Sequence, residues 1–302
     1  MSEVFTVRPA RPEEVETAAE LLNEHSRRLY GKDDTSAEQL RLYWESPDVD
    51  REQDVLVAEM KDGALVGYAD LGLHGDSIWL DVRGFDPEPL SALLEAIESR
   101  AGEKKPGASL IGYATEEDRA VRDLYEGAGY RLLRHSFHME VELEGNQAAP
   151  VWPEGVAART LRPGEENRVY EAHMESFADT WLFTREPFHL WTHWFVNEPA
   201  FDPSLWFLAE AGDELAGIAL TRASEAEEGV GWVRVLGVLP AYRRRGLAEA
   251  LLRHVFGEFA RRGFDRVGLA VDAENPTGAV RLYERAGMHV GRLNLLYEKV
   301  QR

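Results

Sequence analysis

The run Val235-Leu236-Gly237-Val238-Leu239-Pro240-Ala241-Tyr242-Arg243-Arg244-Arg245-Gly246-Leu247-Ala248 has the residue types of an anion site. An apolar strand is stopped by Pro240, and a basic turn then enters a long amphipathic helix. Free N–H groups at a helix N-terminus, together with its dipole, favour a phosphate there. Gly246 and Ala248 carry almost no side chain, so a pyrophosphate can reach the main chain. Three arginines alone would read as a solvated turn. The strand, the small residues and the helix in one register favour the phosphate site. A second dense segment, 173–195 (HMESFADTWLFTREPFHLWTHWF), is rich in aromatics and histidine. It reads either as a pocket for a flat or cationic group or as core packing. His173, His189 and His193 lack zinc spacing with a third ligand, so no metal is expected.

These residues sit in a chain of 302 with 34 basic and 54 acidic side chains, a net charge of −20 and no cysteine. The length predicts two domains at the usual ~100–200 residues each. The absence of cysteine excludes disulfides, thiolate metal sites and a cysteine nucleophile, and makes a reducing, cytoplasmic setting the default. So acidic a surface repels nucleic acid and anionic lipid. The first residues, MSEVFTVRPA, do not read as a secretory signal, and no apolar run approaches the ~20 residues of a membrane span. The expectation is a protein with neither nucleic-acid nor membrane partners; its state as monomer or homodimer stays open.

The two halves repeat each other at an offset of about 154 residues. Thr6-Val7-Arg8-Pro9 matches Thr160-Leu161-Arg162-Pro163, and Val57-Ala58-Glu59 matches Leu208-Ala209-Glu210. Ala120-Val121-Arg122-Asp123-Leu124-Tyr125 matches Ala279-Val280-Arg281-Leu282-Tyr283 with small shifts. So long a period means a duplicated domain, not a solenoid. The pattern predicts an N-terminal domain over 1–144, a linker over 145–155 and a C-terminal domain over 156–302. The joint lies in Glu144 to Gly155, where Gly, Asn, Gln and two prolines cannot sustain a helix or central strand. In each half a strand, an acid-opened helix, two strands about an Asp/Gly turn, a third strand, a helix, a strand, a helix and a final strand follow one another. The fold class is α/β, or α+β with a mixed sheet, with parallel strands and a crossover helix at its centre.

Arg243-x-x-Gly246-x-Ala248 after Val-Leu-Gly-Val resembles the acyl-CoA pyrophosphate loop of the GNAT (GCN5-related) N-acetyltransferases. Asn275-x-x-x-Ala279-x-x-Leu282-Tyr283-x-x-x-Gly287-Met288 resembles that family's second half-motif. The match spans about Val156 to Val300. The N-terminal half keeps Leu124-Tyr125 and Gly129-Tyr130 but has Arg83-Gly84-Phe85-Asp86-Pro87-Glu88-Pro89 where the loop belongs. It therefore resembles a degenerate copy of the same fold, and the chain a tandem pair. A tandem with one competent C-terminal unit is similar to the mycothiol synthases, which acetylate the cysteinyl amine of a thiol sugar. In those enzymes the third strand carries a glutamate thought to act as base; the matching residue here is Trp232.

The resemblance implies transfer of an acetyl group from acetyl-CoA to the primary amine of a small acceptor, by direct attack in a ternary complex. It places the co-substrate on Leu236, Gly237, Val238, Arg243, Arg244, Arg245, Gly246, Leu247 and Ala248, with Asn275 either on the pantetheine arm or in a turn. It gives Tyr283 the role of acid toward the leaving thiolate, against the alternative of a packed helix tyrosine. The segment from His173 to Phe195 falls where the family builds its acceptor wall. Glu175, Asp179, Glu210 and Asp272 are the candidate bases, with Glu175 and Asp179 foremost; each is also an ordinary surface charge in so acidic a chain. Two other functions compete: mycothiol-synthase-type acetylation of an amino-thiol sugar, weakened by Trp232, and a non-catalytic acyl-CoA-binding regulator, weakened by Tyr283.

Overall fold

A computed structural model describes residues 5–143, 145, 147–224, 226–275 and 277–301. Glu144 and Asn146, at the expected joint, and Pro276, inside the second half-motif, lie outside the described residues. The first half runs β1 (Phe5–Pro9), α1 (Val15–Tyr30), α2 (Ala37–Trp44), α3 (Arg51–Asp54), β2 (Val55–Met60), β3 (Leu65–His74) and β4 (Ser77–Gly84). It continues with α4 (Pro87–Lys104), β5 (Ser109–Thr115), α5 (Arg119–Gly127) and β6 (Arg131–Glu142). The second half runs β7 (Val156–Thr160), α6 (Glu166–Phe177), α7 (Phe188–Phe195), β8 (Trp206–Ala211), β9 (Glu214–Ala223) and β10 (Val230–Val238). It closes with α8 (Leu247–Arg261), β11 (Arg266–Asp272), α9 (Ala279–Arg285) and β12 (His289–Val300).

The chain divides into two compact units, Met1–His135 with Leu293–Arg302, and Ser136–Arg292. This differs from the expected 1–144 and 156–302 because the closing strands are exchanged. Residues 136–142 of β6 pair antiparallel with β11 in the C-terminal unit, and residues 294–300 of β12 pair antiparallel with β5 in the N-terminal unit. Each sheet is thus completed by a strand from the other half of the sequence. Within each unit, antiparallel strands lead to one parallel pair, β4 with β5 and β10 with β11.

The repeat is kept down to its ion pairs. Arg8 bridges Glu14 and Glu59, at 2.5 and 2.7 Å, and Arg159 bridges Glu165 and Glu210, at 2.6 and 2.7 Å. Each arginine thereby ties its first strand to the following turn and to the second strand. Tertiary burial does the rest. In the N-terminal unit Leu90, Leu93, Leu94 and Ile97 of α4 pack on Ala69, Leu71 and Leu80. In the C-terminal unit Leu247, Leu251, Val255 and Phe259 of α8 pack on Ala216, Ala219, Val233 and Val267, while α6 and α7 cover the other face.

Candidate active site

The C-terminal unit opens at β10. Its pairing with β9 runs Val233↔Thr221 and then Val235↔Leu220, so Arg234 is an extra residue, a β-bulge. A bulge reverses the alternation of side chains. Val233 accordingly packs in the cluster under α8, whereas Val235 packs in the one under α6 and α7. The parallel pairing of β10 with β11 stops at Val233↔Leu269, although β10 continues to Val238 and β11 to Asp272. The strands part beyond the bulge, and among the described residues the β10 edge at Leu236, Gly237 and Val238 has no ladder partner on that side. Gly237 is required by packing: a Cβ there would lie 2.3 Å from the Ser176 hydroxyl of α6.

The turn after β10 is built from backbone. Arg244 and Gly246 take positive φ, 61° and 80°. A left-handed arginine costs about 1 kcal/mol, and alternation of this kind gathers successive N–H groups into an anion-binding nest. The first backbone N–H of α8 with a protein acceptor is that of Ala250, on the Gly246 carbonyl. Among the described residues, the N–H groups of 244–249 have no protein acceptor. A Cβ at Gly246 would meet nothing within 4 Å, so the main chain is open to an approaching group. Arg244 and Arg245 are exposed beside it.

Arg243 is engaged differently. Its guanidinium donates to both Asp179 carboxylate oxygens (2.5 and 3.0 Å), to the Ser176 carbonyl (3.0 Å) and to the Val238 carbonyl (3.2 Å). It braces the turn against the end of α6. The same pair holds the Asp179 carboxyl below its ordinary pKa, which makes it a poor proton acceptor. Glu210 is likewise committed to Arg159 and Arg168, and its pKa is lowered by Arg159 first. Asp272 accepts from the Glu274 N–H in the turn after β11. Glu175 is exposed one turn before Asp179, with no ion pair among the described residues.

Tyr283 lies on α9 and is 8% exposed; burial raises its phenol to about 12. The phenol is therefore protonated at neutral pH, and its hydroxyl, with no protein hydrogen bond among the described residues, is available as a donor. Its repeat partner Tyr125 is fully buried, stacked on Tyr297 at 5.7 Å and packed over Gly112. The two tyrosines share a motif but not an environment. The Asn275 carboxamide oxygen accepts from the Thr277 N–H (2.9 Å) and hydroxyl (2.5 Å), a turn that leads into α9 and leaves the amide nitrogen for a ligand.

The aromatic segment is a packed wall. His173 lies among Phe177, Trp191 and Phe195, and its Nδ1 accepts from the Trp191 indole N–H at 2.9 Å. The proton of the neutral ring is therefore on Nε2. Arg234, the bulge residue, lies 3.9 Å from the Phe195 ring centroid and pairs with buried Glu198 at 2.9 Å. Burial, with a smaller push from the Arg234 charge, lowers His173 from 6.5 to about 4. The unfolded imidazole takes up a proton below about 6.5 that the folded one refuses until about 4. Its contribution to stability is therefore complete above 6.5 and lost as pH falls toward 4, up to about 3 kcal/mol. Melting curves between pH 6.5 and 4.5 should fall more steeply for wild type than for His173→Gln, which keeps an acceptor for Trp191. Parallel slopes would remove His173 as the cause.

The N-terminal unit lacks this apparatus. β4 pairs with β3 without a bulge from Gly67↔Gly84 to His74↔Ser77. Only Phe85 and Asp86 separate β4 from α4, against residues 239–246 in the other unit. Pro87 and Pro89 remove two N–H donors from the start of α4, and the Asp86 and Glu88 carboxylates repel a phosphate.

A strand pried from its parallel neighbour, leading into a nest of unpaired N–H groups at a helix start, is the framework of an acyl-CoA-dependent transferase. The acetyltransferase (GNAT) family model matches residues 167–288. A mycothiol acetyltransferase of Streptomyces coelicolor is 33% identical, with 97% of each chain covered. A solved GCN5-related N-acetyltransferase from Sphaerobacter thermophilus superposes with a TM-score of 0.79 and 32% identity, covering 99% of this chain and 96% of that one. A tandem GNAT protein from the clavulanic acid biosynthesis pathway shares the fold at a TM-score of 0.73, with 13% identity and 99% of each chain covered. The chain belongs to the GNAT family of N-acetyltransferases, enzymes that move an acetyl group from an acyl-CoA co-substrate to an amine. Among the described residues, no helix is long and apolar enough to cross a membrane.

Proposed function

We propose that the C-terminal unit uses acetyl-CoA to acetylate the primary amine of a small molecule, and that the N-terminal unit has no acyl-CoA site. The observation that carries this reading is the set of unpartnered N–H groups at 244–249, with open space over Gly246. Bound acetyl-CoA supplies the acetyl group as a thioester that the amine attacks directly. The 244–248 main chain, with Arg244 and Arg245, would hold the pyrophosphate, while Arg243 keeps the turn in place through Asp179. The free β10 edge at 236–238 would polarise the acyl carbonyl, and the Tyr283 phenol would donate to the departing sulfur. The Asn275 amide would reach the pantetheine arm. Of the candidate bases, Asp179 and Glu210 are committed to arginines, and Glu175, exposed on α6, takes the amine proton. The acidic, cysteine-free composition supports a cytoplasmic setting without nucleic-acid or membrane partners.

The relative of Streptomyces coelicolor favours a second reading, an amino-thiol sugar as acceptor. Trp232 stands against it: its indole packs edge-on to His138 at 4.8 Å, where the notion of a strand carboxylate base would need a carboxyl group. An amine panel that includes such a sugar, followed by release of free CoA from acetyl-CoA, decides between them. Turnover confined to the thiol sugar would favour the second reading; turnover of simple amines favours the first. The degenerate β4–α4 turn sets the stoichiometry. Calorimetric titration should reach one equivalent of CoA per chain, and two tight equivalents would show that the N-terminal unit binds it as well.

A further inference from the structure

His173 lies where α6 meets the open edge of β10. It stands one helical turn before Ser176, a neighbour on the helix surface, and the Ser176 hydroxyl donates to the His173 carbonyl at 3.0 Å. Ser176 in turn packs against Gly237, in the middle of the 236–238 edge. His173 is thus about 5 Å along the helix from the residue that meets the strand edge assigned to the acyl carbonyl.

The two ring nitrogens are held to different tasks. An indole N–H only donates, so the nitrogen that faces Trp191 must accept, and the other must carry the proton of the neutral ring. Burial keeps the ring neutral by lowering it to about 4. Phe177 and Phe195 pack edge-on against it, with centroids 5.1 and 5.4 Å away, so three aromatic side chains fix its orientation. Nε2–H lies across the ring from the Trp191 bond. It has no protein acceptor among the described residues, and it is not one of the polar atoms sealed from solvent. The side chain is half-buried, and this N–H is its open end.

A donor with no free lone pair cannot bond an ammonium, which also only donates. The charge that bears on the ring is the Arg234 guanidinium, and it too disfavours a cation beside it. An oxygen lone pair fits both conditions. We infer that His173 is a specificity-determining residue of the acetyl transfer, its Nε2–H donating to a hydroxyl or carbonyl oxygen that the acceptor carries close to its amine. Amino alcohols and amino amides are then taken in preference to plain alkylamines and diamines. The inference rests on the acetyl-transfer reading and adds the class of acceptor. His173 does not take the amine proton, because its one lone pair is held by Trp191.

The test follows release of CoA from acetyl-CoA by the full chain with two sets of acceptors. Ethanolamine, glycinamide, glucosamine and the amino-thiol sugar carry the oxygen; ethylamine, cyclohexylamine and 1,4-diaminobutane do not. With kcat/KM counted on the unprotonated amine, the first set should be favoured by about tenfold or more, the scale of a hydrogen bond to a donor otherwise left unpaired. In His173→Phe that ratio should collapse toward one, through the KM of the oxygen-bearing acceptors. His173→Gln, whose carboxamide accepts from Trp191 and still donates, should restore part of it. The ratio does not depend on how much of a variant is folded, and a purely structural histidine would lower every acceptor alike. Wild-type turnover without preference for oxygen, or an unchanged ratio in His173→Phe, would overturn the inference while leaving acetyl transfer standing. Turnover of no amine by a chain that binds acetyl-CoA would overturn the transfer reading and the inference with it.

Discussion

Gly246→Glu is expected to abolish acyl-CoA binding in a chain that still folds. The position is exposed, and a Cβ there meets no atom within 4 Å, so the free protein accommodates the side chain. Its φ of 80° costs a non-glycine residue about 1 kcal/mol, a small part of a typical stability of about 5–15 kcal/mol. The new carboxylate, however, would stand over the N–H groups of 244–249, in the place assigned to a dianionic pyrophosphate. Steric block and like-charge repulsion act together, and affinity should fall by at least about a hundredfold. Gly246→Ala carries the same backbone strain without the charge and should lose much less. Calorimetry beside a melting curve separates binding from folding, and an unchanged affinity in Gly246→Glu would move the pyrophosphate elsewhere.

Tyr283→Phe should leave acyl-CoA affinity and stability nearly intact and lower turnover by roughly 10²–10⁴-fold, as for loss of a general acid. Among the described residues the hydroxyl has no protein hydrogen bond to lose, and the ring that packs in the α8 cluster remains. A phenol raised to about 12 is fully protonated at working pH but a reluctant acid. A CoA thiol is itself fairly acidic, so water replaces part of the effect, and the lower end of the range is expected. Normal turnover in a stable Tyr283→Phe protein would reduce the residue to packing. Tyr125→Phe, in the core of the other unit, should show no kinetic effect at all.

The duplication, the strand order of each half and the turn that opens α8 were legible because they rest on local sequence: apolar period, Pro240, and small residues at a helix start. The contrast between the two turns was legible for the same reason, since proline and acid stand at the start of α4. The bulge at Arg234 was not, because it is a register relation between β10 and β9, and Arg234 reads as one more outward-facing strand residue. The exchange of β6 and β12 left no mark either. Each strand has the composition of an ordinary closing strand, and only pairing shows which sheet it closes. Asp179 and Glu210 read as free carboxylates because their arginines, Arg243 and Arg159, are distant in sequence. Arg243 itself, taken from the motif as a phosphate ligand, makes four hydrogen bonds to its own protein.

The claim that the 244–248 turn of the C-terminal unit serves acetyl transfer to an amine is tested most directly by amine-dependent release of CoA from acetyl-CoA. The assay is run over one amine panel with wild-type and Gly246→Glu protein, both checked for folding. Wild type should turn over at least one amine, and the variant should turn over none. Equal turnover by the two proteins would contradict the account.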